Sequence, residues 1–125
     1  MHILVIDDDS TTRRMAMAML EKLGHQYEVA SNALDGISRA ENTRFDIVLT
    51  DIIMPGLNGF EAMKAITHLV PPIPIIAMSA GSPGNPADDF GVLAIRMGAK
   101  AFLRKPFTLT ELAKAIEAAG NSRRG

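Results

Sequence analysis

Ile3-Leu4-Val5-Ile6-Asp7-Asp8-Asp9 sets four unbroken apolar residues directly against three carboxylates. So short and uniform an apolar run reads as a strand covered on both faces in a parallel sheet. Working outward, Ser10 is a plausible N-cap, and Met15, Ala16, Met19, Leu20 and Leu23 follow at helical spacing until Gly24 ends the helix. Tyr27 and Val29 alternate with polar neighbours as in a half-buried strand, and Asn32 to Glu41, with Leu34, Ile37 and Ala40, reads as a weak helix. The same unit then recurs. Ile47-Val48-Leu49 is a third strand running into Asp51, and Asn58-x-x-Glu61 is a capping box for a helix carrying Phe60, Met63 and Ile66. Pro74 to Met78 is a fourth strand with the proline at its first position. Asn85 as N-cap with Pro86 at the first helical position starts a helix with Phe90, Leu93, Ala94 and Met97 as its buried stripe, ended by Gly98. Ala101-Phe102-Leu103 is a fifth strand, and Thr108-x-x-Glu111 caps a last helix with Leu109, Leu112, Ala113 and Ile116 inward. Strands and helices in strict alternation predict an α/β fold, an open parallel sheet with helices on both faces.

The 125 residues suffice for one core and hardly for two. Residues 1–120 are expected to form one domain, and 121–125 a short frayed tail. Thirteen Lys plus Arg against fourteen Asp plus Glu leave a net charge of -1, without the basic excess that direct nucleic-acid binding demands. Without cysteine there is no disulfide, thiolate nucleophile or thiolate-held zinc, and His2, His25 and His68 share no ligand spacing. Any metal should therefore have oxygen ligands. No apolar run is long enough to cross a membrane, and Met1-His2-Ile3 lacks a signal-peptide n-region, so a cytoplasmic location is the expectation.

Ligands of such sheets bind beyond the carboxyl ends of the strands. There the sequence delivers Asp7, Asp8 and Asp9 from the first strand, Asp51 from the third, Ser79 from the fourth and Lys105 from the fifth. Singly each has a bland reading: an acidic run caps a helix, an aspartate opens a turn, a lysine sits in solvent. Together they predict a pocket. Clustered carboxylates repel unless a hard cation sits among them, and Mg²⁺, which takes oxygen ligands and keeps water, is the natural one. A carboxylate, a divalent ion and an ammonium suit phosphoryl transfer by positioning and electrostatics.

These residues closely resemble the response-regulator receiver family over essentially the whole chain. The resemblance is carried by Ile3 to Asp9, by Asp51-Ile52-Ile53-Met54-Pro55-Gly56-Leu57-Asn58-Gly59, by Ala77-Met78-Ser79-Ala80 and by Lys105-Pro106-Phe107. It implies a flavodoxin-like doubly wound (βα)5 fold of strand order 2-1-3-4-5 with a cis proline after Lys105. It implies that Asp51 is phosphorylated by a sensor histidine kinase or a histidine phosphotransfer protein. Asp8, Asp51 and the backbone carbonyl of Ile53 would ligate Mg²⁺, and Asp7 would hold a metal-bound water. Lys105 would contact the phosphoryl group, Ser79 would swing to hydrogen-bond it, and Phe102 would follow as an aromatic switch, although core packing explains that residue nearly as well. The output surface implied is the fourth helix, fifth strand and fifth helix, which would meet a target protein, an attached output domain or a second copy of the chain. Such a protein is a signalling switch, not an enzyme acting on other substrates.

Two features depart from the family pattern. The chain is a few residues longer than a compact chemotaxis-type receiver between Ser79 and Lys105, the excess falling in Gly81 to Pro86, where surface loops most often tolerate insertion. Ile53 is apolar where many members are polar, which predicts slow loss of the phosphoryl group. A rival reading also exists: Asp7-x-Asp9-x-Thr11 resembles the nucleophile motif of haloacid-dehalogenase-type phosphatases, with Asp7 as nucleophile, Asp9 as general acid, and Ser79, Lys105 and Asp88-Asp89 as partners. It leaves Asp51 to Gly59 unexplained. A receiver-like interaction module that is never phosphorylated would need neither the acidic set nor Lys105.

Overall fold

A computed structural model of the chain describes residues 1–53, 59–69, 72–80 and 87–122. Its elements are β1 (His2–Ile6), α1 (Ser10–Lys22), β2 (Gln26–Ala30), α2 (Ala33–Asn42), β3 (Ile47–Asp51), α3 (Gly59–Thr67), β4 (Ile75–Ser79), α4 (Ala87–Arg96), β5 (Ala101–Arg104) and α5 (Leu109–Ser122). The five strands form one sheet of order β2-β1-β3-β4-β5, and every pairing is parallel. The expected α/β fold and its 2-1-3-4-5 order are both present.

The alternation of side chains along each strand divides the core in two. Leu4, Ile6, Val48, Ile75 and Ala77 face α2, α3 and α4 through Ala33, Ala40, Met63, Ile66 and Ala94. Ile3, Val5, Ile47, Leu49, Ile76 and Met78 face α1 and α5 through Ala16, Leu20, Leu112, Ile116 and Ala119. Burial on both faces explains the unbroken apolar strands, each large aliphatic side chain contributing about 1.5–3 kcal/mol. Because the chain crosses from the β2 side of β1 to β3, strand order reverses between these two neighbours, and their carboxyl ends bound the crevice.

Local chemistry sets the helix ends. Gly24 and Gly98 stand at φ +80 and +112 behind α1 and α4, a backbone region that favours glycine. Asn32 caps α2 by accepting from the Asp35 N–H at 2.8 Å. In the capping box of α5, the Thr108 N–H donates to Glu111 Oε1 at 2.9 Å and the Glu111 N–H to Thr108 Oγ1 at 3.1 Å. The cap of α1 is Asp9, one residue earlier than expected, because its carboxylate accepts the Thr11 N–H and leaves Ser10 as the first helical residue.

Other expectations need correction. Leu34, Leu93 and Met97 are exposed instead of inward, because α2 and α4 bury small residues against the sheet: Ala33, Gly36 and Ala40 in α2, Gly91 and Ala94 in α4. Pro74 precedes the fourth strand, its carbonyl accepting from the Val48 N–H at 2.9 Å. Helix α5 runs to Ser122, two residues into the stretch expected to fray. The expected Asn58 and Asn85-Pro86 starts, the Met54 to Asn58 part of the acceptor segment, the Gly81 to Pro86 loop and residues 123–125 lie outside the described residues.

Candidate functional site

Asp7, Asp51, Ser79 and Lys105 come to the carboxyl edge of the sheet from four different strands, as expected. Asp7 follows β1 and its side chain has no exposed surface, while Asp51 ends β3 and is 5% exposed. Local bonds fix both. The Asp9 N–H donates to Asp7 Oδ1 at 2.9 Å, and the Ile53 N–H donates to Asp51 Oδ1 at 2.8 Å. Each carboxylate is thereby oriented by the amide two residues further on, leaving its second oxygen to face the crevice.

Lys105 joins the two. Its Nζ lies 2.7 Å from Asp7 Oδ2 and 2.6 Å from Asp51 Oδ2, with the lysine side chain 13% exposed. The pair with Asp51 is a hydrogen bond, whereas Asp7 Oδ2 is buried without a hydrogen-bond partner, its contact with the ammonium being an ion pair outside hydrogen-bond geometry. The peptide after Lys105 is cis to Pro106, and the Lys105 N–H donates to the Ser79 carbonyl at 3.0 Å. Ser79 itself is fully buried at the end of β4.

Burial pushes the Asp7 carboxyl above its ordinary range, against the opposing pull of the Lys105 and Asp9 contacts. For Lys105, burial would disfavour the charge, yet the hydrogen bond to Asp51 and the close contact with Asp7 outweigh it and hold the ammonium above its usual value. Asp9 moves the other way. Hydrogen bonds from the Thr12 hydroxyl and the Thr11 amide keep it ionised to lower pH than usual. It is a cap facing α1, as the acidic run alone allowed.

The donor set fits a hard divalent cation. Oxygens of Asp7, Asp8 and Asp51 all lie within 4.8 Å of one another. Three carboxylates opposed by one ammonium leave a formal charge of two units negative when all are ionised, and Asp7 Oδ2 has no hydrogen bond beside its ion pair with that ammonium. Asp8 is exposed and gives the cluster access to water. Phe102 is half-buried on β5, packed against the core shared with α4.

Sequence reading missed three supports. Arg13 donates through Nη1 to the Asp7 carbonyl at 2.8 Å, tying α1 to the end of β1. Thr12, mostly buried, donates to Asp9 Oδ2 at 2.8 Å. Thr50 donates to the Asp51 carbonyl at 3.0 Å. The signal for Thr50 was present, a hydroxyl in an otherwise apolar strand. Arg13 carried none, since its partner is a backbone oxygen.

This fold and pocket define a receiver, and the family comparison agrees: the chain belongs to the response regulator receiver domain family, matched over residues 3–117. It is similar to Protein PilH of Pseudomonas aeruginosa, 39% identical over 118 residues that cover 93% of this chain and 94% of that protein. A receiver domain protein of Clostridium thermocellum has the same fold, with a TM-score of 0.86 and 34% identity over 98% of this chain and 96% of that one. The receiver domain of the sensor histidine kinase PA1611 of Pseudomonas aeruginosa, solved with a magnesium ion coordinated in its active site cleft, superposes with a TM-score of 0.80 and 26% identity, covering 96% and 97% of the two chains. Other relatives are longer, and the chain spans 15% to 50% of their length. The protein is thus a receiver of two-component signalling, a switch whose family works through a phosphorylated aspartate and Mg²⁺. The dehalogenase-type alternative gains no support: its nucleophile would be Asp7, which has no exposed surface. Among the described residues no helix is long and apolar enough to cross a membrane.

Proposed function

We propose that Asp51 is the phosphoacceptor, that Asp8, Asp51 and the Ile53 carbonyl hold Mg²⁺ with Asp7 ordering a bound water, and that a histidine kinase or phosphotransfer protein is the donor. The supporting observation is the Lys105 ammonium held 2.6 Å from Asp51 and 2.7 Å from Asp7. It puts a positive charge between two buried carboxylates, and of these Asp51 is the one that keeps some exposed surface, in a cluster that Asp8 opens to solvent.

When bound, Mg²⁺ would supply positive charge to offset that of the incoming phosphoryl group. An Asp51 oxygen forms the new bond to phosphorus as the bond from phosphorus to the donor breaks, the donor atom keeping the electron pair. The Ile53 N–H keeps the other Asp51 oxygen oriented. Lys105 follows the charge to the phosphoryl oxygens and the Ser79 hydroxyl turns to donate to them. Roughly two negative charges then sit where one did, and the switch is read at α4, β5 and α5 by a target protein, an attached output domain or a second copy. The only reactions the chain promotes are its own phosphorylation and dephosphorylation. Residues 1–120 act as the unit. Ile53, exposed and apolar, holds no water by hydrogen bond from its side chain, so the acyl phosphate decays slowly; a half-life as short as seconds would remove that point.

Incubation with Mg²⁺ and acetyl phosphate, followed by mass spectrometry, tests the assignment. Label is expected on Asp51 and none on Asp51→Asn. Label on Asp7 would return the phosphatase reading, and no label under any donor would leave an inert module.

A further inference from the structure

Gly91 lies inside α4, where glycine is unfavourable relative to alanine. The structure supplies a reason for it. A β-carbon on Gly91 would stand 2.6 Å from Cδ2, 2.8 Å from Cε2 and 2.9 Å from Cγ of Phe102. Turning the ring about χ2 moves the first two atoms but leaves Cγ in place, so a side chain at 91 is accommodated only by a new χ1 at Phe102 or by displacement of α4. The aromatic ring therefore rests on bare helix backbone. The same contact floors a groove open to solvent, lined by Gly91, Val92, Ile95, Arg96 and Phe102.

The position of the ring also connects this seat to the pocket. Phe102 pairs in register with Ala77 on β4, and Ser79, two residues on, lies on the same face of the sheet. The ring thus packs against α4 on the same sheet face that carries the buried Ser79 two residues further along β4.

We propose that Gly91 is a positioning residue: its missing side chain seats the Phe102 ring against α4, and occupation of that seat holds the receiver in its unphosphorylated arrangement. The proposal rests on the phosphoacceptor reading for its link to signalling, while the seat itself stands on packing alone. Filling the seat destabilises the resting arrangement, which shifts the population toward the other state.

The test uses the full chain labelled with fluorophenylalanine, in the unsubstituted form and as Gly91→Ala, Phe102→Ala and the double variant. The ¹⁹F signal that Phe102→Ala abolishes is expected to move in Gly91→Ala, reporting a displaced ring before any phosphodonor is added. The rate of phosphorylation by acetyl phosphate is expected to rise in Gly91→Ala by at least about twofold, the equivalent of the weakest coupling between residues in contact. That rise should vanish when Gly91→Ala is made in the Phe102→Ala background, where a simple gain in helix propensity would persist. Should Gly91→Ala fail to fold, recovery of folding in the double variant reports the same clash. An unmoved ring signal, a rate unchanged or lowered, or an effect undiminished without the ring would overturn the proposal. If the unsubstituted protein takes no phosphoryl group, the phosphoacceptor reading fails on its own, and the ¹⁹F shift still decides whether the seat exists.

Discussion

The crevice at the strand ends and the outer face of α4 are built on opposite terms. In the crevice, buried charges face one another, and their orientations are fixed by bonds from Asp9, Ile53, Arg13 and Lys105. On α4 and just past its end, Val92, Leu93, Ile95 and Met97 put apolar side chains into solvent. The crevice is over-determined, and altering one charge there unbalances the rest. The helix face stores free energy that only a partner or a rearrangement can release. A switch needs both, a rigid place where charge changes and a surface free to respond.

The contrast breaks most directly at Lys105. Lys105→Met leaves Asp7 and Asp51 buried without their shared counter-charge, and in chelator-treated protein it is expected to cost roughly 2–4 kcal/mol in urea unfolding. Added Mg²⁺ should restore more stability to this variant than to the unsubstituted chain, and phosphorylation by acetyl phosphate should be lost. A cost under about 0.5 kcal/mol would show that water already compensates the carboxylates, and the crevice would be no more rigid than the helix face.

The boundary between the regions runs through α4 itself. Ala94 is fully buried against the sheet, so Ala94→Leu overpacks a filled site and should cost about 1–3 kcal/mol. Next, Arg13→Ala removes the donor to the Asp7 carbonyl; the guanidinium is partly exposed and water replaces it in part, which leaves an expected cost of about 1 kcal/mol. Its more telling effect is a raised Mg²⁺ requirement for phosphorylation, since the end of β1 is no longer tied to α1. An unchanged requirement would mean that the Asp9 amide alone positions Asp7.

The two regions were also unequally legible in the sequence. Strand interiors announced themselves because both faces are covered, and the placement of Asp7, Asp51, Ser79 and Lys105 at four strand ends followed from that. Glycines ended α1 and α4 where the chain needs positive φ. The face of α4 was misread because its apolar residues run almost continuously from Phe90 to Met97, and a stripe that wide does not say which edge meets the sheet. Gly91 and Ala94 take that place, while Leu93 and Met97 turn out. The cap of α1 slipped by one residue because Asp9 and Ser10 are both competent caps, and only geometry chooses between them. Arg13 was invisible since a backbone acceptor leaves no mark in the sequence.

The smallest effect sharpens the comparison furthest. Ile95 is 48% exposed, one residue from fully buried Ala94. Ile95→Ser removes apolar surface that folding never buried completely, so unfolding free energy should shift by no more than about 0.5 kcal/mol, and phosphorylation by acetyl phosphate should proceed at its ordinary rate. If α4 serves as the output surface, this nearly silent change in the isolated chain is the one that weakens binding of whatever reads it. A loss above about 1 kcal/mol would instead make Ile95 part of the core, because only side chains withdrawn from water carry that much stability. Adjacent positions on one helix would then no longer separate the part that folds the receiver from the part that speaks for it.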